Sequence, residues 1–125
     1  LEEVRKLCGL AHPNLLQVLE VGRTDDEAYV ASEWLVGCDL AELARRAAAK
    51  QLSIPISAAL YLAREIARGL HAAHMHGGPL AAHGGLAPSN ILCCETGEIK
   101  LMHRERLEQL LSAAAAHSRT LGRPK

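Results

Sequence analysis

The stretch His83-Gly84-Gly85-Leu86-Ala87-Pro88-Ser89-Asn90-Ile91-Leu92 decides the fold of this chain. It follows the longest helical pattern, about 57–76, and precedes two short apolar runs, 91–93 and 99–101, separated by Glu95-Thr96-Gly97-Glu98. Those two runs predict a β-hairpin with Gly97 in its turn. The stretch is therefore predicted to connect a long helix to a hairpin.

Composition restricts the protein class before any motif is considered. The chain has 125 residues, enough for one domain or part of one, and 49% of them are hydrophobic. Fourteen basic and fourteen acidic residues cancel, which argues against nucleic-acid or anionic-membrane partners. No apolar run approaches the roughly 18 residues of a membrane span. Four cysteines without framework spacing predict reduced thiols and a cytoplasmic protein.

Periodicity predicts an α+β order of elements. Residues 1–10 show helical spacing, and the apolar runs 15–21 and 28–35 predict a first hairpin. Asp39 is a plausible N-cap for a short helix that ends near Lys50. The pattern over 57–76 predicts a long helix, and 104–116 suggest another. For the long helix we expect the buried face to carry Leu60, Ala63, Ile66, Ala67, Leu70 and His74.

The stretch from His83 resembles the catalytic loop of a protein kinase, whose signature is H-R-D-L-x-x-x-N. His83, Leu86 and Asn90 fall in register with it. Gly85 stands at the aspartate position, and Ala87 stands where a lysine is usual. The resemblance implies a partial protein-kinase-like fold, with a small-lobe portion at 1–36 and a large-lobe portion at 37–125.

The resemblance extends upstream to two further motifs. His12-Pro13-Asn14-Leu15 resembles the H-P-N-I motif that follows the regulatory helix, and the count back from it implies Glu3 as that helix's glutamate. The stretch 29–40 resembles the last small-lobe strand and the hinge. It implies that Ser32 is the gatekeeper, that the backbone of Glu33 and Leu35 meets an adenine ring, and that Asp39 reaches a ribose hydroxyl.

The resemblance also covers the strand that leads into the D-F-G motif. Gly97-Glu98-Ile99-Lys100-Leu101 is similar to that strand, and His103 stands at the position of the metal-binding aspartate. The end of the chain, Thr120-Leu121-Gly122-Arg123-Pro124, is similar to the segment before A-P-E. The chain begins within a helical pattern and stops without a closing element, so we expect it to be a piece of a longer domain.

The departures from the signature remove reactive groups. Gly85 cannot accept a proton from a substrate hydroxyl, and a general base is worth about 10²–10⁴ in rate. Ala87 cannot neutralise a phosphate oxygen. His103 is a poor Mg²⁺ ligand because that ion prefers oxygen, and Asn90 alone would hold it weakly. We therefore expect Mg²⁺ binding to be weak or absent, with ATP as a candidate ligand.

Three functions remain open at this point. The first is an inactive kinase-like module, a pseudokinase, that binds a protein partner or substrate and retains some nucleotide binding. The second is an active serine/threonine kinase with an atypical site. The third is an unrelated helical interaction domain that matches by chance.

The histidines and cysteines outside these motifs carry weaker hypotheses. His71 and His74 share a helix face and could bind a metal, but no zinc-binding pattern accompanies them. We expect His74 to fill the apolar face of the helix instead. Of Cys93 and Cys94, one is expected to face inward as a small hydrophobe.

Overall fold

The computed structural model describes residues 5–77, 85–103, 107–109 and 111–113. Their elements follow in the order of a partial protein-kinase-like α+β fold. They are a 3₁₀ helix Lys6–Gly9, strands β1 Val18–Arg23, β2 Ala28–Ser32 and β3 Gly37–Asp39, helices α1 Leu40–Ala49 and α2 Ile56–His76, a 3₁₀ turn Pro88–Asn90, and strands β4 Ile91–Cys94 and β5 Ile99–Leu101.

The first hairpin, β1 and β2, forms as predicted, but its boundaries shift. The strands pair antiparallel through a turn in which Thr24 N donates to the carbonyl of Glu27 at 2.8 Å. Strand β1 begins at Val18 instead of residue 15, because Leu15 and Leu16 pair with β5. Val18 and Val21 point inward from β1 and form a small apolar cluster with Val30.

The second hairpin, β4 and β5, forms as predicted and belongs to a larger sheet. Gly97 occupies the turn with φ +94°, a left-handed conformation that favours glycine. Strand β3 pairs antiparallel with β4 on the side opposite β5, so the sheet order is β3-β4-β5. The sequence did not predict β3. Within β3, Gly37 pairs with Cys94 at the edge of the sheet.

Helix α1 starts where the sequence predicts it. The side chain of Asp39 accepts a hydrogen bond from Glu42 N at 2.8 Å, which satisfies one of the backbone donors left free at a helix N-terminus. None of the side chains of α1 is fully buried.

Helix α2 is the long helix, and its predicted buried face is wrong in most positions. Its fully buried residues are Gly69 and Ala73, and Leu60 is 66% exposed. Of the predicted set, Ile66 and Leu70 pack against the main core, whereas Ala63, Ala67 and His74 are exposed. The fully buried positions of the helix are a glycine and an alanine, to which hydrophobic periodicity gives little weight.

The main core lies between α2 and the β4–β5 hairpin. It contains Leu15, Ala73, Ile91, Ile99 and Leu101, with partly buried residues of α2 around them. Tyr61 of α2 also donates its hydroxyl hydrogen to the carbonyl of Gly97 at 2.7 Å. The long helix therefore fixes both the body and the turn of the hairpin.

The two ends of the chain lie largely outside the described residues. The helix predicted over 1–10 is represented by the 3₁₀ helix Lys6–Gly9. In the helix predicted over 104–116, residues 107–109 and 111–113 are helical. No helix in the described ranges is long and apolar enough to cross a membrane.

Gly69 allows α2 to approach the backbone of Asn14 and the side chain of Leu101 closely. A Cβ atom there would lie 2.8 Å from the carbonyl oxygen of Asn14 and 2.9 Å from Leu101 Cδ1. Gly69→Ala gains about 1 kcal/mol in helix propensity, but overpacking of this kind costs about 1–3 kcal/mol. The contacted oxygen belongs to the backbone and cannot rotate away, so we expect a net loss of stability. Urea unfolding measures it.

The control for this substitution is Gly9→Ala. No atom lies within 4 Å of a Cβ built at Gly9, so the free energy of unfolding should hardly change. Equal stability of Gly69→Ala and the wild type would show that α2 does not pack this closely.

Candidate functional site

Three of the predicted site residues, Asp39, Asn90 and His103, lie at one end of the three-stranded sheet, whereas Glu33 and Leu35 precede β3 near the other end, where Glu95 N donates to the Val36 carbonyl at 2.9 Å. Asp39 ends β3 opposite Leu92, and Ile91 begins β4 opposite Leu101 at the end of β5. Asn90 directly precedes β4, and its carbonyl accepts a hydrogen bond from Met102 N at 2.8 Å. Strand register therefore brings the end of β3 beside the start of β4 and the end of β5. His83 and Glu3 fall outside the described residues.

Asn90 is buried and holds the loop before it. It is 4% exposed, and its Nδ2 donates to the carbonyl oxygen of Gly85 at 2.6 Å. Its own backbone N–H donates to the carbonyl of Ala87 at 2.9 Å. Gly85 is half-buried. The amide group of Asn90 thus closes the loop on itself, which leaves Oδ1 as the atom that could face a cation.

His103 is 7% exposed at the position expected for a metal-binding aspartate. Its carbonyl oxygen accepts from Leu107 N at 2.9 Å, which starts the helical residues that follow. A predominantly apolar cavity of about 360 Å³ lies beside it. Ser32, the predicted gatekeeper, and His103 both line this cavity, so the end of β2 and the end of β5 share one space.

The hinge segment, which we define as residues 33–36, connects β2 to β3 without belonging to a strand. Glu33 N donates to the carbonyl of Gln17 at 3.0 Å. Within the part of the chain that the structure describes, the backbone N–H and C=O of Leu35 make no hydrogen bond. The side chain of Leu35 is half-buried, while that of Trp34 is 89% exposed.

Asp39 has a structural partner in addition to its predicted ribose contact. Its Oδ1 caps α1 by accepting from Glu42 N. A carboxylate has a second oxygen with free lone pairs, so capping does not prevent a ribose contact. The ribose role stays a prediction.

Two residues near the site were not singled out from the sequence. Lys100 lies in β5 and is 9% exposed, and its Nζ donates to Glu33 Oε1 at 2.8 Å. Burial raises the pKa of Glu33, but the hydrogen bonds from Lys100 and from Gln17 N, together with the lysine charge, lower it by more. The pKa of Glu33 is therefore below its ordinary value. The sequence signal that could have identified Lys100 is its position between two apolar residues of a short predicted strand.

The other unpredicted residue is Glu65, which belongs to the junction formed by Asn14. Asn14 Nδ2 donates to Glu65 Oε2 at 2.7 Å and to the carbonyl of Ile99 at 3.0 Å. The hydrogen bond from Asn14 is the main cause that lowers the pKa of Glu65, and Arg64 and Arg68 lower it further against the effect of burial.

The thiol of Cys93 near the site is a poor nucleophile. Burial, and then the neighbouring Cys38, Cys94 and Asp39, raise the pKa of Cys93 to about 11. Cys93 packs against the main core, as expected for an inward-facing small hydrophobe.

No metal cluster forms among the described side chains. Within residues 5–77, 85–103, 107–109 and 111–113, no group of three or more His, Cys, Asp or Glu could hold a metal ion. His74, expected in the apolar face of α2, is exposed.

Comparison with known proteins identifies the family. The family model described as the protein kinase domain matches residues 1–103. The chain is 34% identical over 106 residues to the tyrosine-protein kinase MasK of Myxococcus xanthus, which covers 81% of the chain and 16% of that protein. It is 28% identical over 120 residues to the probable serine/threonine-protein kinase CPE1738 of Clostridium perfringens, which covers 96% of the chain and 16% of that protein. Serine/threonine-protein kinase 12 of Arabidopsis thaliana is 36% identical over 100 residues, 80% of the chain and 21% of that protein.

This chain belongs to the protein kinase domain family. That membership excludes the alternative of an unrelated helical interaction domain. The chain spans about a sixth of the length of the first two relatives, so their full activities are not transferred to it.

Because the Asn90 amide holds Gly85, Asn90→Asp should loosen the loop even though it introduces a better Mg²⁺ ligand. A carboxylate can ligate Mg²⁺ better than an amide, but it has no N–H to donate to the Gly85 carbonyl. The variant loses the hydrogen bond that holds the loop, and a typical hydrogen bond contributes about 0.5–1.5 kcal/mol to stability, so we expect faster amide hydrogen exchange over residues 85–92. Added Mg²⁺ should not reverse the change. Restoration of protection by Mg²⁺ would show that position 90 faces a metal site.

The lowered pKa of Glu65 predicts how the junction responds to acid. Its ordinary pKa is 4.5, and the folded-state pKa is lower. The contribution of the Glu65 charge to stability is therefore present above pH 4.5 and is lost as the pH falls through the lowered pKa. Glu65→Gln should make the free energy of unfolding less dependent on pH below 4.5. Urea unfolding at several pH values measures this.

Glu95→Gln is the matched control for the acid experiment, because Glu95 is exposed in the β4–β5 turn. It should leave the acid dependence as in the wild type. An unchanged acid dependence of Glu65→Gln would contradict the assignment.

Proposed function

We propose that this chain is part of a catalytically inactive kinase-like module that binds a nucleotide and regulates or recruits a protein partner. The observation that carries the proposal is the identity of the residues at the two positions where an active kinase is expected to have carboxylates. Gly85 stands where the catalytic base is expected, and the buried His103 stands where the metal carboxylate is expected. Neither offers a carboxylate.

Protein kinases transfer phosphate from ATP with Mg²⁺, mainly by positioning the groups and neutralising charge. Asn90 is the remaining motif residue with an oxygen ligand, and its amide already holds Gly85. Mg²⁺ requires near-octahedral oxygen coordination, which an amide and an imidazole do not provide. The residues present therefore do not fit a tightly held Mg²⁺.

The hinge segment fits a nucleotide base better than the other end of the site fits a metal. Leu35 leaves a backbone donor and an acceptor unpaired within the described chain, in a half-buried position. Buried backbone groups are nearly always paired in folded proteins, so such a pair favours a ligand with a complementary polar edge. An adenine ring has that edge, and Asp39 lies three residues beyond Val36 at the end of β3.

The names of the relatives leave the class of the ancestral substrate open. One is a tyrosine-protein kinase, and two are named as serine/threonine-protein kinases. We favour relation to the serine/threonine group because two of these three relatives carry that name. An active serine/threonine kinase with an atypical site is the competing function, and Mg²⁺-dependent phosphotransfer that is lost in Asn90→Ala would support it.

The test is a thermal melt of the chain alone, with ATP in EDTA, and with ATP and Mg²⁺. A ligand at 100 times its dissociation constant adds about 2.7 kcal/mol, which is several degrees for a domain of this size. We expect the same rise with and without Mg²⁺. A rise that requires Mg²⁺ would favour the active enzyme, and no rise on a cooperative melt would contradict nucleotide binding.

Asp39→Ser removes the predicted ribose contact while it keeps an N-cap for α1. Serine caps a helix about as well as aspartate, so the melt without ligand should stay the same. The shorter side chain cannot reach a ribose, so the rise with ATP should shrink. An undiminished rise would remove Asp39 from the proposed site.

A further inference from the structure

We propose that the ion pair between the side chains of Lys100 and Glu33 sets the position of the hinge segment and thereby tunes nucleotide affinity through groups that do not themselves contact the nucleotide. Only the effect on nucleotide affinity rests on the proposed nucleotide binding. The control of the hinge position is a property of the chain without any ligand.

Strand β5 directs Lys100 toward the hinge. Successive side chains of a strand point to opposite faces. Ile99 and Leu101 pack into the main core with Ala73 of α2, so Lys100 lies on the other face of β5. Its ammonium group meets Glu33 Oε1 at 2.8 Å there. The strand that ends at the site is therefore connected through a side chain to the segment where a nucleotide base would bind.

Glu33 is held from a second direction by the segment that precedes β1. Gln17 N donates to Glu33 Oε1 at 3.1 Å, and Glu33 N donates to the carbonyl of Gln17 at 3.0 Å. Glu33 Oε1 thus accepts hydrogen bonds both from Gln17, which precedes β1, and from Lys100 in β5. Because the next residues, 34–36, lie in no strand, Glu33 is the last fixed point before the unpaired backbone of Leu35.

The energetics favour a positioning role over a stabilising one. A buried ion pair loses much of its attraction to desolvation, so it contributes more to defining one geometry than to net stability. The Lys100 side chain is 11% exposed, but that of Glu33 is 26% exposed. Glu33 can therefore be solvated when its partner is removed, and the chain should still fold.

The experiment compares Lys100→Met with Lys100→Arg. Methionine keeps much of the length and apolar stem, whereas arginine keeps the charge. We expect Lys100→Met to speed exchange of the Glu33 amide hydrogen, which is bonded to the Gln17 carbonyl, and to weaken ATP binding in EDTA, measured by calorimetry, about tenfold if the competent hinge falls to a tenth of the population. Lys100→Arg should restore both. Lys50→Met removes a charge from the exposed end of α1 and should change neither.

Each outcome decides a separate question. If hinge exchange and affinity in Lys100→Met equal those of the wild type, the inference is wrong. If the wild type binds no ATP, the proposed nucleotide binding fails, and hinge exchange still decides whether the ion pair positions the segment. If Lys100→Met does not fold, Glu33→Gln removes the charge from the more exposed partner, and unchanged hinge exchange in that variant overturns the inference.

Discussion

The junction at Asn14 is the contact on which the rest of the structure depends. The Asn14 carbonyl accepts from Leu101 N at 2.8 Å, and Leu16 N donates to the Leu101 carbonyl at 2.9 Å. These bonds extend the three-stranded sheet with a short parallel bridge at Leu15. The side chain of Asn14 meanwhile bonds to Glu65 of α2 and to Ile99. A single buried residue therefore joins the first hairpin, the sheet and the long helix.

The motif residues that this chain keeps have contacts within the protein. Asn14 joins three elements, and Asn90 closes the loop from Gly85. The positions that differ from the active signature, Gly85 and Ala87, contribute backbone carbonyls to those contacts, which a glycine or an alanine supplies as well as any residue. The backbone contacts of this loop therefore do not require the reactive side chains of the signature.

The sequence predicted the elements better than it predicted their faces. Alternation and turn residues located both hairpins, and Asp39 located the start of α1, because these signals are local. The buried face of α2 was mispredicted because it is built on Gly69 and Ala73, which have little or no apolar side chain. Strand β3 was missed because three residues that include a glycine give no periodic signal.

The same distinction holds for the candidate site: residues in local motifs were predicted from the sequence, and residues with distant partners were not. Motif spacing located Asn90 and His103, and the structure brings their segments together through strand pairing. Lys100 and Glu65 could not be assigned from the sequence, since their roles depend on partners 67 and 51 residues away. Long-range side-chain pairs of this kind require the fold to be known first.

The placement of Trp34 gives the hinge segment its own optical reporter. It is the sole tryptophan of the chain, and the residue is 89% exposed beside Glu33 and Leu35. Its fluorescence therefore follows the solvent around the hinge and is insensitive to packing in the core. Emission from the native chain should already resemble that of an indole in water, and a collisional quencher should reach it freely. A molecule seated against the hinge would shield the ring and reduce that quenching, with no label attached to the protein.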